Sequence, residues 1–445
     1  MNNSNHFFSN RFLKIGWLAL FFGVITYYSF GQNPDNRSQA NPSPVEYVNS
    51  NFEGATPIFW EYNPDGSVMV HMLYDHERSS PNRANYNVHF QVQAKQGADV
   101  TLHILYNNDI YNGRIVASAY TNYQNYFVSD DGIQWTTVPL EKIENGHKIK
   151  VHMNTNVLYV ANIEPYRISD LNKFLQEIKD HPLVEIESIG KTVEGRTLEI
   201  VSVGNPTAPF RIFIRARAHP WESGGNWVVQ GFIKSLLDKN ENNAKFFNKY
   251  CVYVLPMANK DGVARGNTRF NSLGRDLNRN MNQPTDPQLA PENYAMETWL
   301  KKMIEKGMKP QMSIDIHNDQ HGPIFWGHPD KVKREEYKDD HSISFSNYYL
   351  LVDKDANVGQ FESNIHKFES LMVQHSWYTQ MGANAQNYPA SAEKATVPRY
   401  NVDLSCVLEL NQVVISSLDK VPFGKDWELL GKQMRDVFFH YFDDK

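Results

Sequence analysis

Cysteine is nearly absent, with only Cys251 and Cys406 in 445 residues. Two thiols cannot build a four-thiolate zinc site or a disulfide-dense scaffold. Both sit inside apolar runs, "YCVYVL" and "SCVLEL", which leaves buried free thiols and a single bridge as the alternatives. Excess positive charge is also missing. Lys and Arg number 44 against 50 Asp and Glu, a formal charge of −6, and no basic run is interleaved with aromatics. The electrostatic footprint of a nucleic-acid binder is therefore excluded. Long apolar runs are scarce too. The one that stands out is "IGWLALFFGVITYYSF" at 15–30, preceded by Arg11 and Lys14 and followed by a polar, proline-rich stretch. It is slightly short for a spanning helix. Residues 1–31 have the layout of a secretory signal peptide, with the small residues Ser29 and Gly31 placed for cleavage before Gln32. The expectation is an exported chain, secreted or periplasmic, held at a membrane only if this segment stays uncleaved.

What is present is an ordinary globular composition, 41% hydrophobic and 21% charged, over a length that suits two domains. Residues 32–50, rich in Asn, Pro and Ser, read as a linker. Residues 51–164 contain short runs of alternating polarity, such as "SVMVHMLY", "NVHFQVQA" and "DVTLHILY", separated by Asn/Asp/Gly turns. That pattern predicts an all-β sandwich. His71, His89, His103 and His152 are spread along these strands, which fits solvent-facing or satisfied core histidines better than ligands. From 165 to 445 strands alternate with helices: "RIFIRARA" with "NWVVQGFIKSLLDK", then "YCVYVLPM", "PENYAMETWLKKMIEKG", "QMSIDIH", "LSCVLELNQ" and a closing amphipathic helix. Such alternation predicts an α/β layer fold whose sheet is mixed but largely parallel and flanked by helices.

In open α/β sheets ligands bind beyond the carboxyl ends of the strands, and there the unusual polar residues fall. His219 and Glu222 follow "RIFIRARA", His317 ends "MSIDIH" and Glu409 lies in "CVLE". With 16 histidines in the chain, a His three residues before a Glu should occur about once by chance, and it recurs at His366 and Glu369 within a helix. "HPWE" alone is therefore weak. Together with His317, however, it supplies two imidazoles and a carboxylate, the three donors a catalytic zinc needs beside an open position. His321 competes as third donor, but a regular strand holds His317 more rigidly. Asp315, two residues earlier on the same side of that strand, is placed to orient an imidazole. Residues 259–280, "NKDGVARGNTRFNSLGRDLNRN", concentrate Arg265, Arg269, Arg275 and Arg279 in a loop. Such forks suit carboxylates and a developing oxyanion.

The segments "HPWE", "NKDGVARGNTRFNSLGRDLNR", "IDIH" and "LELN" resemble, in order and spacing, the M14 zinc carboxypeptidases, most of all the cytosolic-carboxypeptidase-like branch. The resemblance covers about residues 45–445 and implies a β-sandwich before a catalytic domain. It further implies one Zn²⁺ per chain on His219, Glu222 and His317, with Arg269 polarising the scissile carbonyl. Asn278 and Arg279 would grip the terminal carboxylate, and Glu409 would be the general base for the zinc-bound water. Tyr388 is the best match for a substrate-covering tyrosine, which would put Lys394 near the side-chain pocket and favour acidic termini. Trp221 replaces the branch's usual glycine, and Asn318-Asp319 replace Gly-His after the third ligand. The implied activity is removal of C-terminal residues from peptides or proteins. Two other classes stay open: an exported amidase or carboxypeptidase acting on peptidoglycan stem peptides, and a non-catalytic binding protein on the same fold.

Overall fold

The computed structural model describes residues 43–78, 80–116, 123–238, 241–279, 284–319, 348–353, 358–378, 386–388, 402–412, 414–415 and 417–443, with the main chain alone at 241–242, 319, 348–353, 358–362 and 386–388. Residues 1–31, His321 and Lys394 lie outside that set. The described residues belong to one compact unit.

The β-rich first part is a sandwich of two five-stranded sheets. One comprises Val45–Asn49, His89–Ala94, Val157–Ala161, Asn125–Ser129 and Thr136–Pro139, and the other Glu141–Ile143, Gly146–His152, Asp99–Leu105, Val68–Met72 and Ile58–Tyr62. Alternation drives the packing. Val68, Val70 and Met72 point inward with Val100, Leu102 and Ile104, and meet Phe90, Val92 and Tyr126 from the facing sheet. Val45–Asn49 falls where the sequence suggested a linker; its antiparallel pairing with His89–Ala94 and the burial of Val45 and Val48 make it a strand. His71 and His152 sit beside Glu61 and Asp99 at 3.2 and 2.8 Å. His89 is buried, and its Nδ1 faces the Gly54 carbonyl at 3.1 Å. Burial pushes it down to about 4, so it is neutral. A separate small sheet, Asp75–His76, Arg83–Ala84, Asp109–Tyr111 and Arg114–Val116, projects from the sandwich.

The second part is an eight-stranded sheet in the order Val184–Lys191, Thr197–Val203, Tyr250–Leu255, Phe210–Ala216, Met312–Asp319, Leu404–Asn411, Tyr348–Asp353, Gln386–Tyr388. The four central strands run parallel and the flanking pairings are mostly antiparallel. Ile212, Ile214, Met312, Ile314, Leu404 and Leu408 face one hydrophobic layer with the helices Gly224–Leu237 and Gly424–Tyr441. Phe213, Tyr253 and Leu255 face the other, with Met296, Trp299 and Leu300 of the helix Pro291–Glu305. Both thiols are free and buried in this sheet. The chain leaves Phe210–Ala216 toward Tyr250–Leu255 on one side and later returns to Met312–Asp319 on the other. That reversal is a topological switch point, where a crevice opens at the strand ends.

The sheet face is sealed by a close helix crossing. A Cβ on Gly431 would lie 1.9 Å from the Val228 carbonyl oxygen, and one on Gly231 would lie 2.1 Å from that of Glu428. The two helices can touch backbone to backbone only because both positions lack side chains. Gly431→Ala is therefore expected to destabilise the fold by about 3 kcal/mol, at the upper end of overpacking costs. Exposed Lys432→Ala on the same helix should stay within about 0.5 kcal/mol of wild type. Urea titration of the two variants checks this, and equal midpoints would refute the crossing.

Candidate active site

The sheet's alternation sorts its polar residues. Because Ile214, Ile316 and Leu408 turn into the helix layer, Arg215, Asp315, His317 and Glu409 fall on the opposite face. Strand register then aligns them, Arg215 beside Asp315 and His317 beside Glu409. At the end of Phe210–Ala216 the backbone turns sharply. Arg217 sits at φ +63°, a left-handed conformation rare for a side-chain-bearing residue. It is tied down by hydrogen bonds from its guanidinium to the Pro220 carbonyl, 2.6 Å, and Asn226 Oδ1, 2.9 Å. This turn swings His219 and Glu222 back over the strand ends.

Three donors converge there. His219 Nδ1 is 2.7 Å from Glu222 Oε1, His317 Nδ1 is 2.8 Å from Glu222 Oε2, and the two Nδ1 atoms are 3.2 Å apart. All three residues are buried, and among the described residues this is the one cluster of His, Cys and acidic groups that could hold a metal ion. The outward nitrogens face carboxylates too. His219 Nε2 meets Asp276 Oδ1 at 3.3 Å and His317 Nε2 lies 3.1 Å from Asp315 Oδ2. Each aspartate is in turn held by an arginine. Arg269 Nε donates to Asp276 Oδ2 at 2.7 Å, and Arg215 Nη1 lies 3.6 Å from Asp315 Oδ2. A carboxylate on the far nitrogen of a histidine fixes its tautomer and leaves the near nitrogen free to ligate. Two imidazoles and one carboxylate, so backed, have the chemistry of a zinc site with an open position.

The charges match this reading. Burial alone would lower His317, but the Asp315 and Glu222 carboxylates outweigh it and hold the imidazolium up to about 10. Burial would raise Glu222, yet His219 and His317 pull it down to about 2. Against its burial, Arg269, Arg279 and His219 keep Asp276 well below the usual carboxylate range.

The arginine loop borders the triad through Asp276. Asp276 Oδ1 also accepts from the Asn278 backbone N–H at 2.8 Å. Asn278 is buried, and its Oδ1 has no partner among the described residues, the mark of a position that a ligand or water completes. Arg279 Nη1 donates to the Asn278 carbonyl at 2.8 Å. Arg265 instead pairs at the surface with Glu194. Tyr388 ends the edge strand Gln386–Tyr388, two strands from Glu409, and its side chain is outside the described set. Trp221 is buried and packs against Tyr86 of the first part, ring centroids 5.6 Å apart. The second chance pair is a helical ion contact, His366 Nδ1 to Glu369 Oε2 at 3.5 Å; Glu369 is buried rather than solvated. Asp276 and Arg217 escaped the sequence reading. Asp276 was visible inside "GRDLNR", whereas nothing in "RARAH" announces a left-handed arginine.

A two-histidine, one-carboxylate donor set at the switch point of an α/β sheet is that of a catalytic metal centre with an open position. The zinc carboxypeptidase family, peptidase M14, matches residues 171–410, more than half of the chain, and the chain belongs to that family. Human cytosolic carboxypeptidase 2 is 26% identical over 185 residues, 39% of this chain and 20% of the relative. Cytosolic carboxypeptidase 6 of Caenorhabditis elegans is 30% identical over 164 residues, 35% of each chain. The match thus spans well under two thirds of these relatives' own length. The fold is shared more widely. A metallo-carboxypeptidase from Burkholderia cenocepacia superposes with a TM-score of 0.71 over 89% of this chain and 99% of its own, at 21% identity. One from Pseudomonas aeruginosa, in complex with (2-guanidinoethylmercapto)succinic acid, gives 0.71 over the same shares at 19%.

The family is zinc-dependent, and His219, Glu222 and His317 fit that metal. Since His317 stays protonated until about pH 10, an entering ion must displace a proton at neutral pH. Apparent zinc affinity should therefore rise with pH, about tenfold per unit from roughly 6 to 9, as measured by competition with a chelator. A pH-independent affinity would contradict the geometry.

Proposed function

We propose that this chain is a zinc-dependent metallocarboxypeptidase that removes C-terminal amino acids from peptides or proteins. The observation that carries the reading is the buried His219–Glu222–His317 triad, joined through Asp276 to the loop bearing Arg269, Asn278 and Arg279. His219, Glu222 and His317 would hold a zinc ion, which would supply Lewis acidity toward a water and a carbonyl. Glu409, on the strand beside His317, takes the proton from the attacking water and hands it to the leaving amine. Arg269 donates to the carbonyl oxygen as negative charge builds there. Asn278 and Arg279 hold the substrate's terminal carboxylate, which restricts cleavage to chain ends.

The division into a sandwich, which the strand Val45–Asn49 extends beyond the expected 51–164, and a catalytic domain over 165–445 belongs to this reading, as does a preference for acidic termini through Lys394 near Tyr388. So does export, which rests on the layout of residues 1–31. An exported enzyme of this type would meet peptidoglycan stem peptides, so these belong in the same substrate panel.

Glu409→Gln is expected to lower kcat by about 10²–10⁴-fold while zinc content, read by atomic absorption, stays at one ion per chain. Full activity in the metal-loaded variant would remove Glu409 from the role of base. Arg279→Ala should reduce kcat/KM about 10²-fold on peptides with a free terminal carboxylate and abolish the preference over the matching C-terminal amides. Unchanged discrimination in that comparison would contradict carboxylate recognition.

A further inference from the structure

The small sheet that projects from the sandwich rests on the arginine loop. Asp75 is half-buried there, and its Oδ2 accepts the backbone N–H groups of Arg269, 2.7 Å, and Phe270, 2.8 Å. The Arg78 N–H donates to the Gly274 carbonyl at 2.7 Å. Gly274 has φ +74°, and a Cβ on it would sit 2.7 Å from the His76 oxygen, so the two backbones meet without side chains between them. At the other end of the sheet, Tyr111 reaches the loop's functional groups. The guanidinium carbons of Arg269 and Arg279 each lie 5.8 Å from the centre of its ring, and Arg279 Nη2 donates to its hydroxyl oxygen at 2.5 Å.

The tip bearing Tyr111 is stiff by construction. Asn112 and Gly113 both take left-handed conformations, φ +50° and +71°, and Tyr111 pairs directly with Arg114. That is the two-residue hairpin whose twist matches its strands, and Asn-Gly is its preferred sequence. Asn82 Oδ1 accepts the Asn112 N–H at 2.7 Å and anchors the turn to the neighbouring strand segment.

We infer that Tyr111 is a positioning residue for substrate recognition, contributed to the active site by the sandwich rather than by the catalytic sheet. The inference rests on the roles proposed above for Arg269 and Arg279. Two guanidinium groups brought to one site repel each other, and each has many rotamers to lose. A ring with negative π-density beside both attracts the two cations, and the phenol oxygen fixes one nitrogen of the Arg279 fork. Both guanidinium groups are thereby held in fixed orientations at the site where an incoming carboxylate is to be recognised. The chemistry served is an anionic chain end. The hydroxyl touches Arg279 alone, whereas the ring serves both arginines, so the two contributions separate.

Blocked dipeptides ending in Leu, Lys or Glu would be screened, and the best substrate used for steady-state kinetics. Tyr111→Phe should raise KM about 3–10-fold, the effect of one lost hydrogen bond to a charged group, with kcat within about twofold. Tyr111→Leu should raise KM further and lower kcat, because Arg269 also loses its contact. Melting temperature and zinc content of Tyr111→Phe should match wild type. The control is the same change in an Arg279→Ala background, where removing the hydroxyl should have no further effect on KM. An unchanged KM in Tyr111→Phe would overturn the proposal. So would a Tyr111→Phe effect that persists fully without Arg279. If Arg279→Ala itself leaves KM and the preference for a carboxylate unaltered, the reading of Arg279 fails and takes the proposal with it, and that outcome is distinct from the first.

Discussion

Everything at the site depends on burying charge that is already paired. Two chains, Arg215–Asp315–His317 and Arg269–Asp276–His219, converge on Glu222 from opposite sides. Isolated, any of these ions would be costly away from water, and the pairing is repaid only when geometry is good and partners are complete. Here each arginine offsets one aspartate, each aspartate orients one imidazole, and both imidazoles face the same carboxylate. The result is a buried set of fixed charges and dipoles whose three inner donors could hold a metal ion. Removal of any single member would leave its partner buried and uncompensated.

The scaffold exists to keep those chains aligned. Parallel register sets Arg215 against Asp315 and His317 against Glu409. Period-two alternation sends the apolar residues of the same strands into the helix layer. That layer is tightened by the Gly231 and Gly431 crossing, so strand ends cannot drift relative to one another. The left-handed Arg217 converts a strand into a returning turn, and its own hydrogen bonds pin the turn it creates. Backbone strain is thus placed two residues from a ligand, where it serves to aim one.

The sandwich is part of the same machinery. Besides Tyr111 and Asp75, it offers Asn87, whose N–H bonds Thr268 Oγ1 and whose side-chain nitrogen bonds the Gly266 carbonyl. Gly266, with φ +64°, passes so near Ala55 that a Cβ would stand 1.9 Å from its oxygen. Trp221 packs on Tyr86 in the same interface. The arginine loop is accordingly moulded between two layers of the chain, which gives an otherwise irregular segment a single conformation.

Local pattern determined a good deal by itself. Alternation in "SVMVHMLY" and "DVTLHILY" marked sandwich strands, and runs such as "RIFIRARA" and "QMSIDIH" marked the parallel core. Because strand ends in such sheets carry the site, His219, Glu222 and His317 could be drawn together from nearly a hundred residues apart, and Asp315 could be assigned to an imidazole from spacing alone. What tertiary structure decided is everything that depends on which surfaces meet. Val45–Asn49 looked like a linker because its partner strand lies forty residues away. That Trp221 packs on Tyr86 is invisible from "HPWE". Nothing along the chain singles out Tyr111 or "YNGR"; folding alone sets that hairpin against Arg269 and Arg279. Periodicity is a property of neighbours along the chain and survives in the sequence; the pairing of two distant loops is a property of their docking, and only the folded molecule holds it.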